Sequence, residues 1–151
     1  MTPSHDADPT QTSLAWVSDC LFCEMVAGEK DTVGVYEDDV VFAFLDHRPV
    51  FKGHVLVVPK THVVTLLDLV EVGPYFERVQ AITRAVMTGL EAKGSFVALN
   101  NVVSQSVAHL HTHVVPRNPK DGLKGFFWPR TKYASDEEAR EYAAKIRAQM
   151  S

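Results

Sequence analysis

Residues 109 to 117 read HLHTHVVPR, and three of the chain's seven histidines, His109, His111 and His113, stand at every second position. On a helix a step of two residues turns about 200°, which points His111 away from the other two. On a strand the side chains alternate and all three share one face. The stretch is therefore expected to be a strand. Val114 and Val115 fit it through β-propensity, and Pro116, which has no N–H to give to a ladder, is expected to end the pairing. Successive same-face residues lie about 6.6 Å apart, so the row covers about 13 Å, close to the reach of a di- or triphosphate chain. Rows of imidazoles serve as metal ligands, nucleophiles, general acids or phosphate contacts, and the rest of the chain has to choose among these.

Charge narrows the choice. The 151 residues are 46% hydrophobic, enough for one domain with its own core, and carry a net charge of −4. That balance argues against a nucleic-acid polymer as partner, because such binding rests on many lysine and arginine contacts to phosphates. Residues 1–50 hold ten acids against Lys30 and Arg48, whereas residues 117–132 hold five bases against Asp121. A basic stretch directly after the histidine row suits a small phosphorylated ligand, and equally a solvated surface. The chain holds no apolar run of membrane-spanning length, and its first sixteen residues have neither a basic start nor a hydrophobic centre, so a cytoplasmic protein without membrane contact is expected. Residues 1–16, with His5 among them, read as a flexible polar tail preceding a single domain over 17–151.

Along the chain, Asp19 is placed to cap a short helix from Cys20 to Ala27 that Gly28 ends. VGVYEDDVVFAFLD reads as two strands joined at the acidic turn Glu37–Asp39, and GHVLVVPK as a buried strand from His54 to Val58 closed by Pro59. From Pro74 to about Lys93, Tyr75, Phe76, Val79, Ile82, Val86, Met87 and Leu90 recur at steps of three and four, which predicts a long helix stopped by Gly94. SFVALNN reads as a strand, and Ser135 caps a C-terminal helix with acids in its first turn. The sum is an α+β domain: about five antiparallel strands, one long helix packed on one face, and short terminal helices.

Cys20 and Cys23 form a CxxC pair, which in a cytoplasmic chain means a zinc half-site, a redox pair or two small buried hydrophobes. A redox pair of the thioredoxin kind requires a strand upstream of Cys20, and none is predicted there. Zinc is the better reading, and two histidines must then complete it.

Together these residues resemble the histidine triad, or HIT, family of nucleotide hydrolases and transferases, whose signature alternates histidine and hydrophobe; HLHTHVV follows it except at Thr112, which replaces a hydrophobe. CLFCEMVAGE, VYEDDVVFAFLD, KGHVLVVPKTH and QSVAHLHTHVVPR stand in family order over roughly residues 19 to 133, most like its bacterial, Hint-like branch. The resemblance implies a homodimer that binds a small-molecule purine nucleotide and needs no organic cofactor. It assigns His111 as the nucleophile on the α-phosphorus, with a covalent nucleotidyl-histidine intermediate. His113 and His54 correspond to histidines beside the phosphate, and Ser106, Gln105, Asn101 and Asn100 to polar contacts of phosphate and leaving group. Asp46 corresponds to the acceptor for the ribose hydroxyls, and His47 stands near the base where relatives often carry an aliphatic residue. Cys20, Cys23, His62 and His109 correspond to a closed structural zinc site. Nucleoside phosphoramidates, dinucleoside polyphosphates and acyl-adenylates are the substrates the family implies.

The chain departs from the family between Asn101 and Gln105, where VVS replaces a longer loop containing glycine. β-branched Val102 and Val103 are expected to resist φ > 0, which motivates an alternative: a nucleotide-binding module with little catalysis. A third reading makes the HLHTH row itself a catalytic metal site. Trp128 reads as a core aromatic or a residue packed beside the nucleotide, and Thr112 as a mild change on the opposite side of the sheet.

Overall fold

A computed structural model describes residues 19–124 and 129–150. The chain divides into two units, residues 1–119 and 120–151. The first runs α1 (Leu21–Val26), β1 (Gly34–Glu37), β2 (Val41–Leu45), β3 (Val55–Pro59), a 3₁₀ turn (Leu66–Asp68), α2 (Val72–Gly89), β4 (Gly94–Ala98) and β5 (Thr112–Arg117). All five strands join one antiparallel sheet in the order β1-β2-β3-β5-β4. The α+β expectation therefore holds.

β3 explains the layering. Its whole run is buried, so it alternates between two apolar faces. Val55 and Val57 join Val41, Ala43 and Val114 in a cluster with Tyr75, Val79, Ile82 and Val86 of α2. Leu56 and Val58 join Phe44 in a second cluster with Cys20, Phe22 and Cys23 at the start of α1. The sheet thus packs α2 on one face and α1 on the other, and the expectation of a single covered face is extended by the small α1 layer.

The acidic turn forms as the sequence predicts, because the Asp38 carboxylate accepts the N–H groups of Val40 (2.8 Å) and Val41 (2.9 Å). Arg78 of α2 donates to the same carboxylate at 2.8 Å, tying the hairpin to the helix. α2 begins two residues before Pro74, at an N-cap, Glu71, whose side chain makes no capping bond. A missing cap costs about 1 kcal/mol, whereas each of four buried side chains contributes roughly 1.5–3 kcal/mol, so packing outweighs capping here. The helix also ends earlier than Lys93. Glu91 takes φ +54°, Ala92 N–H reaches the Met87 carbonyl (2.9 Å) and Glu91 N–H the Thr88 carbonyl, closing a Schellman motif without glycine. Gly94 instead opens β4, and Leu90, expected in the core, is exposed.

At α1 the cap is Cys20 rather than Asp19: its Sγ accepts the Cys23 N–H at 3.4 Å. Gly28, at φ +78°, follows the helix as expected. In the second unit α3 (Asp136–Arg147) starts at the predicted cap, where Ser135 Oγ accepts the Glu138 N–H at 3.1 Å. Residues 1–16 and Trp128 lie outside the described residues.

Candidate active site

The histidine row alternates as expected, but only its last member lies in the ladder. β3 pairs β5 from Val57↔Thr112 to Val55↔Val114, so β5 begins at Thr112 and His109–His111 is an extended approach to it. Pro59, which that register sets opposite Leu110, has no N–H to give, and its carbonyl is taken by the His109 ring, Nε2 donating at 2.8 Å. Leu110 N–H bonds the Val63 carbonyl at 2.7 Å instead. Leu110 and Val114 enter the α2 core, and Thr112 meets Tyr75 there, which leaves the three histidines on the opposite face. Pro116 does not end pairing: it lies inside β5 opposite Ser95. Beyond Val114 β5 has lost β3, and a position with one neighbour tolerates a residue without an N–H. Thr112 is more than a mild change. Tyr75 hydroxyl donates to the Val57 carbonyl (2.9 Å) and therefore accepts from Thr112 Oγ1 (2.7 Å), which pins the strand to α2 between His111 and His113.

Hydrogen-bond partners fix the tautomers. His111 Nδ1 lies 2.8 Å from the His109 carbonyl, which only accepts, so Nδ1 carries the proton and the neutral ring keeps its lone pair on Nε2. His54 Nδ1 accepts the Val50 N–H (3.1 Å), so its Nε2 donates to His113 Nδ1 (2.9 Å) and His113 keeps a proton on Nε2. Gly53, at φ +97°, makes the turn that delivers His54 into this chain. His113 is held down to about 4, chiefly by burial and then by the neighbouring His111 and His54 against Asp46. The site therefore pairs a lone pair on His111 with an N–H on neutral His113, ring centroids 5.2 Å apart.

Both rings line a cleft of about 840 Å³, within the range of small-molecule sites. Leu21, Phe22 and Met25 of α1, with Phe44, Leu56 and Val107, make its apolar walls; Asp46, His47 and Ser106 stand with the histidines; Lys30, Asp31 and Thr32 also border it. Asp46 Oδ1 accepts the Arg48 N–H (2.9 Å), and Oδ2 lies 3.8 Å from His54 Nε2. His47 is 83% exposed.

Of the expected phosphate contacts, Asn100, Asn101 and Gln105 are not wall residues; they build the loop. Asn100 donates to the Ser104 carbonyl (3.3 Å), and Asn101 Oδ1 accepts the Leu66 N–H (2.9 Å). Gln105 accepts the Val102 N–H (3.0 Å) and donates to the Val64 carbonyl. Contrary to expectation, the loop takes φ > 0 without glycine, at Val102 (+68°) and Ser104 (+63°). Three side-chain amides hold it in a conformation that local sterics oppose.

Cys20, Cys23, His62 and His109 bring their ligand atoms within 4.8 Å of one another. The sulfur–nitrogen separations are 3.4 Å (Cys20–His109), 3.5 Å (Cys23–His109) and 3.3 Å (Cys23–His62). Tetrahedral zinc, with bonds of about 2.3 Å to sulfur and about 2.0 Å to nitrogen, sets such edges at about 3.5 Å. The donors fit as well: Pro59 fixes His109 with its lone pair on Nδ1, toward the thiols, and burial holds the ring down to about 4, neutral as a ligand must be. Asp46, His54 and His113 also cluster. That group is a poor cation site, because Val50 commits His54 Nε2 to being a donor.

Sequence reasoning passed over the apolar wall of the cleft. Its signal was present inside CLFC and just after it, where Leu21, Phe22 and Met25 share one side of a short helix.

A five-stranded sheet bearing this histidine arrangement is that of a HIT domain, and the HIT domain family model matches residues 27–120. The chain belongs to the HIT family. It is 40% identical over 113 residues to Protein hit of Bacillus subtilis, covering 72% of this chain and 78% of that one. It is 30% identical over 120 residues to adenosine 5'-monophosphoramidase hnt1 of Schizosaccharomyces pombe, covering 78% and 89%. Among solved structures, SMU.412c from Streptococcus mutans superposes with a TM-score of 0.82 at 34% identity, over 100% of both chains. A zinc-bound histidine triad family protein from Mycobacterium smegmatis gives 0.66 at 36% identity, over 87% and 97%.

Proposed function

We propose that this protein is a nucleotide hydrolase or nucleotidyl transferase that cleaves at the α-phosphate of purine nucleotides through a nucleotidyl-His111 intermediate. The observation that carries the reading is the His109 carbonyl on His111 Nδ1, which presents Nε2 as a nucleophile in a neutral ring. Nε2 forms a bond to phosphorus as the bond to the leaving group breaks. The ring then holds a positive charge that the same carbonyl stabilises, and this keeps it a good leaving group for water in the second step. His113 donates its Nε2–H to a non-bridging oxygen, oriented by His54. Asp46 accepts from the ribose hydroxyls, Ser106 contacts the leaving group, and the apolar wall takes the base, with His47 beside it. Nucleoside phosphoramidates head the substrate classes, since the S. pombe relative is named a monophosphoramidase; dinucleoside polyphosphates and acyl-adenylates follow.

Zn²⁺ at Cys20, Cys23, His62 and His109 serves structure: four protein ligands close the site and leave no position for substrate. The zinc-bound M. smegmatis relative supports the choice of metal. A homodimer formed through β4 completes the reading: β4 is one of the two outer strands of the sheet, and Val97 on it is 43% exposed. No helix among the described residues is long and apolar enough to cross a membrane; two unbridged thiols are compatible with the cytoplasm.

The test is rapid quench with adenosine 5'-phosphoramidate labelled at phosphorus. The wild type accumulates labelled protein, while His111→Asn loses at least about a thousandfold in turnover, forms no adduct and still binds AMP. Turnover by that variant overturns the assignment.

A further inference from the structure

α1 serves two sites at once. Its cap and its third residue are Cys20 and Cys23, whose thiols meet His62 and His109. Three of its other apolar residues, Leu21, Phe22 and Met25, wall the cleft. Six residues fall well below the roughly 12–15 an isolated helix needs in water, so α1 is ordered by what its side chains grip: the sheet, the thiol cluster and the cleft. Phe22 stands at the junction, 4% exposed, with its ring edge-on to His109 (5.9 Å between centroids) and to His111 (5.1 Å). His109 spans the same two sites by another route: its ring faces the thiols and its carbonyl holds His111 Nδ1.

We propose that the Cys20–Cys23–His62–His109 centre and the nucleotide cleft are thermodynamically coupled through Phe22 and His109, so that Zn²⁺ and a nucleoside monophosphate each tighten the other's binding. The proposal rests on the nucleotide reading of the cleft. A metal at the cysteine end fixes the first turn of α1, and with it the ring of Phe22 against His111. A base against Leu21, Phe22 and Met25 holds the same six residues from the cleft side. Whichever ligand arrives first orders the helix, and the second finds it ordered, which is positive cooperativity. Linkage then demands that both affinities change by one factor. Phe22 is thus a positioning residue, acting on His111 and on the helix that carries the thiols.

The experiment uses the full chain loaded with zinc. Zn²⁺ affinity is measured by competition with a chromophoric chelator, with and without saturating AMP, and AMP affinity by calorimetry with and without zinc. AMP is expected to raise Zn²⁺ affinity about five- to hundredfold, with the same factor in the reverse direction. Phe22→Leu keeps an apolar wall and every ligand but loses the ring contacts, so it should still bind one zinc per chain while its coupling factor falls toward one. Equal Zn²⁺ affinity with and without bound AMP overturns the coupling, and that comparison holds even if the stripped protein unfolds. A full factor retained in Phe22→Leu overturns the role of Phe22. A chain that takes up no zinc overturns the proposal outright. Failure of AMP to bind the zinc-loaded protein overturns the nucleotide reading together with the coupling, an outcome distinct from equal affinities under bound AMP.

Discussion

His111 and His113 are two residues apart and chemically identical, yet one presents a lone pair and the other a proton, because one Nδ1 meets a carbonyl and the other a ring N–H. Burial also separates His113 from free imidazole. His113 titrates at about 4 in the fold against 6.5 for an unperturbed ring, and burial lowers His54 as well. Between those values the unfolded chain binds protons that the folded rings refuse, so unfolding free energy falls as pH is lowered from about 6.5 to about 4 and is fully present above that window. Thermal melts should show the midpoint dropping over this range, and His113→Gln should flatten part of the decline. A wild-type midpoint constant from pH 6.5 to 4 contradicts the buried neutral ring.

At the scale of elements, the loop from Asn101 to Gln105 is where local preference and observed conformation conflict. Val102 holds φ +68° with 72% of its surface exposed, so its side chain gains little packing in return. A β-branched residue in that region carries about 1–3 kcal/mol of strain, while glycine there is relaxed and loses roughly 0.5–1 kcal/mol to unfolded-chain entropy. Val102→Gly should therefore stabilise the protein by about 1 kcal/mol, read as a higher denaturant midpoint at unchanged slope; destabilisation would show that the amides of Asn101 and Gln105 do not impose the conformation. The short loop thus reaches by force a backbone region that glycine adopts freely. The expectation that Val102 resists φ > 0 is therefore overturned, while the N–H groups of Val102, Val103 and Gln105 are spent inside the loop itself.

For the whole molecule, the open side of β4, one of the sheet's two edges, is a place where a second copy can extend the sheet. In light scattering after gel filtration the wild type should run as a dimer, and Val97→Lys, which puts a charge on that strand, should shift it toward the monomer with its melting midpoint moved by less than a few degrees. A monomeric wild type at micromolar concentration removes β4 as an interface. Two clusters on opposite faces of one sheet also divide the labour: the α2 side holds the fold, through Tyr75, Val79, Ile82 and Val86, and the α1 side carries the thiols and the cleft.

Short-range patterns were readable without coordinates. The period-two histidines share a face, the Glu37–Asp39 turn and the Ser135 cap form where their residues stand, and the helical spacing from Tyr75 to Val86 packs as written. Each of these depends on neighbours within a few positions, where side-chain period and capping chemistry act directly. The ends of elements were less legible: α2 stops at a Schellman turn built on Glu91, and Pro116 sits inside a strand because β3 has already left it. What only the tertiary structure decided is which partner meets which ring. His54 reaches His113 across 59 residues, Pro59 takes the His109 ring, and Phe22 touches both His109 and His111. A sequence supplies the imidazoles and their spacing; where their protons sit depends on donors and acceptors that only chain topology brings within 3 Å.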